Sequence, residues 1–225
     1  MSIKVLQINE NILAENDKIA QEITVRLKKF NIISFNLMGS PGAGKTKVLE
    51  QIISRINNKM LCGVIEGDVA GTFDSQRLKK FDIPIVQINT GGGCHLEAFM
   101  VKKGIDQMPL EKIKVLFIEN VGNLICPAEF KIGIEKNIVI SSTTEGEDKP
   151  AKNPLMFKIS HLCILNKIDI LDSETFNIEN FTSYVKNINP SLEIITASAK
   201  TGENMDKIIT KLFRLYNIDN ISSDQ

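Results

Sequence analysis

The chain has 225 residues, enough for one α/β domain with a sizeable core and too few for two full domains joined by a linker. Lysine plus arginine and aspartate plus glutamate each number 27, so the formal net charge is zero and the whole-protein field offers no general attraction for nucleic acid or an anionic membrane. No signal-peptide pattern opens the sequence and no apolar run reaches the roughly 18 residues of a membrane span, which points to the cytoplasm, where the four cysteines would stay reduced.

Ile12, Ile19, Ile23, Leu27 and Phe30 recur at helical spacing between Asn11 and Phe30 and predict an amphipathic helix, expected against the edge of a sheet. Short apolar runs follow at Ile32 to Met38, Leu61 to Ile65, Ile83 to Ile88, Val115 to Ile118, Ile138 to Ser141, Leu162 to Leu165 and Leu192 to Thr196, and each reads as a strand. Helical patterns lie between several of them, at Val48, Leu49, Ile52, Ile53 and Ile56 and again at Met205, Ile208, Ile209, Leu212 and Leu215. Near-continuous apolar strands alternating with helices predict a single α/β domain, its mostly parallel sheet covered by helices on both faces and its ligands bound at the carboxyl ends of the strands. Cys62 and Cys163 fall inside predicted strands and read as core. His161, at the start of a strand, is expected to meet solvent or a backbone hydrogen bond.

The strand ending at Met38 runs into Gly39-Ser40-Pro41-Gly42-Ala43-Gly44-Lys45-Thr46, which satisfies G-x-x-x-x-G-K-[ST] at every required position. Glycines let successive backbone N–H groups curl around phosphate oxygens, and a helix opening at Gly44 adds its positive end. Lys45 reaches the β- and γ-phosphates and the Thr46 hydroxyl ligates Mg²⁺. Gly39, Gly42, Ala43, Gly44, Lys45 and Thr46 are thus candidate nucleotide contacts of a P-loop NTPase domain over 32–218, with a helix-bearing N-terminal segment over 1–31 and a tail over 219–225. A plain glycine-rich turn is the alternative, and the strand and helix that flank the loop argue against it.

Downstream, Leu162 to Leu165 leads into Asn166-Lys167-Ile168-Asp169, which is expected to read guanine. A carboxylate at Asp169 accepts both the N1–H and the exocyclic amine of guanine, which adenine cannot offer, so the pattern selects GTP. Ser198-Ala199-Lys200 follows the next strand and suits a loop that closes over the base. A polar turn after a strand is the bland reading of either segment; their order behind a P-loop favours guanine.

The acidic groups are less standard. Glu119, closing the run at Val115, is placed to hold Mg²⁺, and Gly122 is spaced to offer its N–H to a γ-phosphate. Asp68 and Asp74 are further candidates, for Mg²⁺ and for the attacking water. Phosphoryl transfer needs a group that orients water, and no glutamine stands at the usual place, so Asp74 takes that role here with Lys45 and Glu119 as its catalytic companions. An aspartate at that position also opens helices.

Three further segments carry a family signature: Thr90-Gly-Gly-Gly-Cys94-His95-Leu96-Glu97-Ala98, Phe117-Ile-Glu-Asn-Val-Gly-Asn-Leu-Ile-Cys126-Pro127 and Glu145-Gly-Glu-Asp-Lys149. With Glu66-Gly67-Asp68 and the nucleotide motifs, they make the chain resemble the hydrogenase maturation GTPases called HypB, of the SIMIBI class. The resemblance implies a low-turnover GTPase whose nucleotide state controls homodimerisation and metal transfer. It further implies that Cys94, His95 and Cys126 bind Ni²⁺ or Zn²⁺ at the dimer interface, and that nickel passes to a hydrogenase large-subunit precursor with the help of a nickel-binding maturation partner. Thiolate and imidazole suit both ions, and two chains across a two-fold axis can complete a shell that one cannot. From the residues alone the adjacent Cys94-His95 pair reads as structural; the resemblance reverses that reading.

The first residues carry neither the cysteine cluster nor the histidine-rich run of some relatives, so a separate N-terminal nickel store is not expected. Lys149 is placed to reach the nucleotide or a facing subunit, unless its segment is a solvated loop. Other readings stay open: a urease-type nickel accessory GTPase, whose cysteine and histidine are separated by proline where these are adjacent, or a nucleotide-gated interaction module with a structural Cys-His segment. An ATP-dependent small-molecule kinase would make Asn166 to Asp169 a coincidence.

Overall fold

A computed structural model describes residues 8–69 and 77–217, with side chains from residue 13 onward. Seven strands, β1 (Ile33–Met38), β2 (Cys62–Asp68), β3 (Ile85–Asn89), β4 (Val115–Glu119), β5 (Lys136–Ser142), β6 (Leu162–Asn166) and β7 (Glu193–Thr196), form one sheet in the order β3-β2-β4-β1-β5-β6-β7. Every pairing is parallel. The helices are α1 (Ile8–Lys29), α2 (Lys45–Ile56), α3 (Ala98–Ile105), α4 (Cys126–Glu129), α5 (Lys149–Lys152), α6 (Pro154–Lys158), α7 (Ile178–Ile188) and α8 (Met205–Arg214).

Alternation along the strands assigns side chains to two covered faces. Phe35, Leu37, Val64, Phe117 and Ile140 meet Val48, Leu49, Ile52 and Ile53 of α2 and Ile208 and Leu212 of α8 on one side. On the other, Ile65, Leu116 and Ile118 meet Val101 and Ile105 of α3 with Ala20, Ile23 and Leu27 of α1, while Val139, Cys163 and Leu165 meet Phe157, Phe181 and Val185. Each fully buried aliphatic or aromatic side chain contributes about 1.5–3 kcal/mol of transfer free energy, so both layers are needed. The first helix lies on this second face and against α3, not at the sheet edge that the sequence suggests, because Ala20, Ile23 and Leu27 need an apolar layer around them and find it there. Cys62 and Cys163 are fully buried, as expected of core.

Polar residues interrupt the second face. Asn36 on β1 donates from Nδ2 to Asn137 Oδ1 on β5 at 3.0 Å and accepts at its own Oδ1 from Asn120 Nδ2, just beyond β4, at 3.2 Å. His161 accepts the Asn137 N–H at Nδ1 over 3.2 Å, the backbone bond expected of it.

Because all strands run the same way, their carboxyl ends share one edge of the sheet, and the winding reverses at β1: β2, β3 and β4 lie to one side and β5, β6 and β7 to the other. Open α/β sheets bind ligands at such a reversal. The P-loop leaves β1 there, flanked by the segments that follow β2, β4, β5 and β6.

Candidate functional site

The P-loop is a backbone construction. Gly44 caps α2 in the left-handed region at φ 94°, and a Cβ there would strike the Asn166 side chain, so only glycine fits. No side chain caps the first turn of α2, which leaves its N–H groups facing the cleft as an anion site. Lys45 Nζ rests 3.2 Å from the Ser40 carbonyl oxygen, folded over the loop and nearly buried.

Between the P-loop, the end of β2 and the segment after β4 lies a cleft of about 460 Å³. Thr46 Oγ1 donates to Glu119 Oε1 across its floor at 2.7 Å, both residues buried. Glu66, buried at 3% exposure, is the register partner of Glu119 on the neighbouring strand. Two carboxylates so placed repel each other when ionised, and a divalent cation or a shared proton relieves the repulsion. With the Asp68 carboxylate on the same wall, this is an oxygen donor set of the kind Mg²⁺ takes. Gly122 also lines the cleft, so close to Pro41 that a Cβ on it would sit 3.0 Å from the Pro41 Cα. Asp74 lies outside the described residues, as does the tail expected over 219–225.

The loops after β6 and β7 meet behind the P-loop. Asn166, 3% exposed, donates from Nδ2 to the Ala43 carbonyl at 3.0 Å and accepts the Ala199 N–H at Oδ1 over 3.0 Å. Its amide therefore ties the P-loop to the Ser198-Ala199-Lys200 loop. Lys167 adopts φ 67° and donates from Nζ to Thr144 Oγ1 at 3.0 Å. The Asp169 carboxylate accepts from Ser198 Oγ at 2.6 Å and lies 3.6 Å from Lys200 Nζ. The Ser198 hydrogen bond, more than the lysine charge, holds this carboxyl below its usual range, so it stays an ionised acceptor. Lys149 opens α5 half-buried, and the preceding Glu147 accepts from the Asn177 N–H at 2.6 Å and Asn180 Nδ2 at 2.9 Å. The segment is thus packed on α7.

Cys94 and His95, from the loop before α3, and Cys126, the first residue of α4, come together with their ligand atoms all within 4.8 Å of one another and each residue half-buried. Cys94 Sγ lies 3.6 Å from His95 Nδ1, and the imidazole stacks on Phe130 at 4.0 Å between ring centres. His95 Nε2 is buried with no hydrogen-bond partner among the described residues. Burial lowers the His95 pKa against the pull of Glu97 and Glu129, which keeps the ring in the neutral, ligating form. The hydrogen bond with the Cys94 thiol, then burial and neighbouring negative charge, raise Cys126. Two sulfurs and one imidazole nitrogen at this spacing form a soft ligand set open to a tetrahedral or square-planar metal.

Residues 33–196 match the CobW/HypB/UreG nucleotide-binding domain family. The hydrogenase maturation factor HypB of Escherichia coli K12 is 40% identical over 204 residues, 91% of this chain and 70% of that protein. The crystal structure of HypB from Archaeoglobus fulgidus aligns with a TM-score of 0.85 at 35% identity, covering 91% of this chain and 100% of that one. That of HypB from Helicobacter pylori in complex with nickel aligns with a TM-score of 0.84 at 34% identity, covering 94% and 99%. The chain belongs to the HypB family of hydrogenase maturation factors. In this HypB-family frame, two buried or half-buried asparagines and a glutamate stand out that sequence reasoning did not assign: Asn120 and Asn123 between the two sites, and Glu66 beside Glu119. A signal existed, since Asn120 directly follows the strand that ends in Glu119 and Asn123 stands three residues further on, two amides in a short segment after a mostly apolar run. Among the described residues, no helix is long and apolar enough to cross a membrane.

Proposed function

We propose that this chain is a Mg²⁺-dependent, low-turnover GTPase that carries nickel in hydrogenase maturation, its nucleotide state controlling homodimerisation and metal transfer. The observation that carries this reading is the convergence of Cys94, His95 and Cys126 to within 4.8 Å on loops that leave the same sheet edge as the P-loop. The nickel complex of the Helicobacter pylori relative supports nickel as cargo, and the same ligands suit Zn²⁺. Three ligands from one chain leave the shell short, and a second copy across a two-fold axis completes it. The recipient is a hydrogenase large-subunit precursor, served together with a nickel-binding maturation partner.

In the nucleotide site Lys45 leaves the Ser40 carbonyl for the β- and γ-phosphates, the P-loop N–H groups surround the phosphates, and the Gly122 N–H faces the γ-phosphate. Thr46, Glu119 and Asp68 hold Mg²⁺, which when bound offsets phosphate charge. Asp169 selects guanine, Lys167 flanks the base and Lys200 covers it. Asp74 orients the attacking water; an Asp74→Asn chain that keeps full turnover with normal Mg²⁺ binding overturns that assignment.

The test is equilibrium binding of Ni²⁺ and Zn²⁺ to the chain saturated with GDP or with a non-hydrolysable GTP analogue, with mass followed by light scattering and Cys94→Ala alongside. Metal bound per dimer, changing with nucleotide and lost in the variant, is the expected result. Absence of binding in both states overturns the carrier reading and leaves a GTPase with a structural Cys-His segment.

A further inference from the structure

Both halves of the Cys/His site hang from one four-residue segment, Asn120 to Asn123, and they hang differently. Asn120 is 1% exposed, and its Oδ1 accepts the N–H of Leu96, the residue after His95, at 3.1 Å. Its Nδ2 is committed to Asn36, which is committed to Asn137, and its own N–H donates to the Leu37 carbonyl at 3.0 Å. Leu96 in turn lies so close to Gly67 of β2 that a Cβ there would sit 2.7 Å away. The Cys94–His95 arm is therefore fastened to the interior of the sheet.

Asn123 is fastened to the P-loop. Its N–H donates to the Gly39 carbonyl at 3.0 Å in an isolated antiparallel bridge, and the preceding Gly122 lines the phosphate cleft against Pro41. From the same residue, Oδ1 accepts the N–H groups of Ile125 at 2.7 Å and Cys126 at 3.3 Å, and Nδ2 points at Cys126 Sγ over 3.6 Å. One side chain thus fixes both the backbone and the sulfur of Cys126, and its own backbone is fixed by the loop that surrounds the phosphates.

We propose that Asn123 is the positioning residue through which the phosphate cleft acts on the metal site, and that it moves the Cys126 arm while Asn120 holds the Cys94–His95 arm still. This rests on the metal-carrier reading above and adds which ligand responds to nucleotide and through which contact. A phosphate drawn to Gly122 shifts Asn123, the next residue, and the Oδ1 turn passes the shift to Cys126. Outer partners that orient a ligand commonly set metal affinity by about 10- to 100-fold, and the coupling is reciprocal, so Ni²⁺ must alter the choice between GDP and a GTP analogue by the same factor.

The experiment measures Ni²⁺ affinity and the thiolate-to-nickel charge-transfer band at saturating GDP and at saturating non-hydrolysable GTP analogue, in the unmodified chain, Asn123→Ala and Asn123→Asp. The unmodified chain should show an affinity ratio between the two states well away from one. Asn123→Ala should bring that ratio to within about twofold of one, whereas Asn123→Asp, which keeps the Oδ1 acceptor for both N–H groups, should retain it. A ratio unchanged in Asn123→Ala overturns the role of Asn123 and leaves the carrier reading intact. No nickel binding by the unmodified chain overturns the carrier reading itself, and this inference with it. A second readout needs no metal and no variant: alkylation rates of Cys94 and Cys126 mapped by mass spectrometry in the two nucleotide states. A change confined to Cys126 supports the fixed and moving arms, and equal changes at both thiols overturn them.

Discussion

The phosphate cleft is made mainly of backbone, and the Cys94, His95 and Cys126 site is made of side chains. Glycines without room for a Cβ, uncapped N–H groups at the start of α2 and the close pairing of Gly122 with Pro41 shape the first. The second leans more on side chains: its three ligand atoms are brought within 4.8 Å by segments that two asparagine amides hold, although Leu96 packs on Gly67 and the Asn123 backbone bonds to Gly39. A backbone-built site tolerates little change in the loop and holds one geometry, while a site hung on side chains can be re-aimed by moving one support. That division fits the proposed function, in which a nucleotide is gripped and a metal is released.

Substitutions that separate the two constructions test this contrast. The largest effect is expected for Lys45→Ala, which removes the cation of the P-loop; GTP turnover should fall on the order of a hundredfold to a thousandfold in a phosphate-release assay. Cys126→Ala should weaken Ni²⁺ by at least about a hundredfold in a competition titration, beyond the loss caused by an orienting neighbour. Asp169→Ala should lower the preference for GTP over ATP by roughly a hundredfold or more in competition binding, because the guanine donors lose their acceptor. Gly44→Ala places a Cβ in the left-handed region against Asn166 and should weaken nucleotide binding by about 1–2 kcal/mol, roughly tenfold, by fluorescence titration. Unaltered affinity in the Gly44→Ala chain would break the claim that the cleft is a backbone construction. The smallest effect is a shift in pH. Ser198 holds the Asp169 carboxyl low, so guanine preference persists above that depressed pKa and is lost as pH falls through it. Ser198→Ala removes the largest cause, and the loss should begin at higher pH.

The same contrast decides what could be read from the sequence. The P-loop was legible because phosphate binding by backbone demands particular residues at fixed spacing, and the strands were legible because each contains a short apolar run, mostly buried in the central strands and only partly buried in the edge strands β3 and β7. The last three residues of β2 were not: Glu66, Gly67 and Asp68 end the apolar run, yet they keep parallel pairing with Gln87, Ile88 and Asn89, and Glu66 pairs with Glu119. Polar composition hides a strand that ends in a site. Cys94-His95 and Cys126 carry no spacing signal, since only the strand order brings their two loops together, and the family resemblance alone singles them out. The first helix was legible from its spacing, but the face it covers was not, because periodicity fixes which side is apolar and not what covers it. Asn166 was placed with the base by its motif, and the fold shows its amide joining two loops, a task no local pattern encodes.

The row of amides from Asn120 through Asn36 to Asn137 bears on how the sheet finds its alignment. The strands β4, β1 and β5 present similar aliphatic side chains at neighbouring positions, so hydrophobic contact alone distinguishes poorly between adjacent pairings that keep the same face inward. Asn36 satisfies its amide from Asn137, its register partner on β5, and from Asn120, two residues beyond Ile118, its register partner on β4, so a slip on either side strands an amide, and each stranded amide in the interior costs about 1–3 kcal/mol. Three polar side chains therefore act as a key for strand alignment at the centre of the molecule, and any variant that replaces all three with aliphatics would trade one defined sheet for a choice among several.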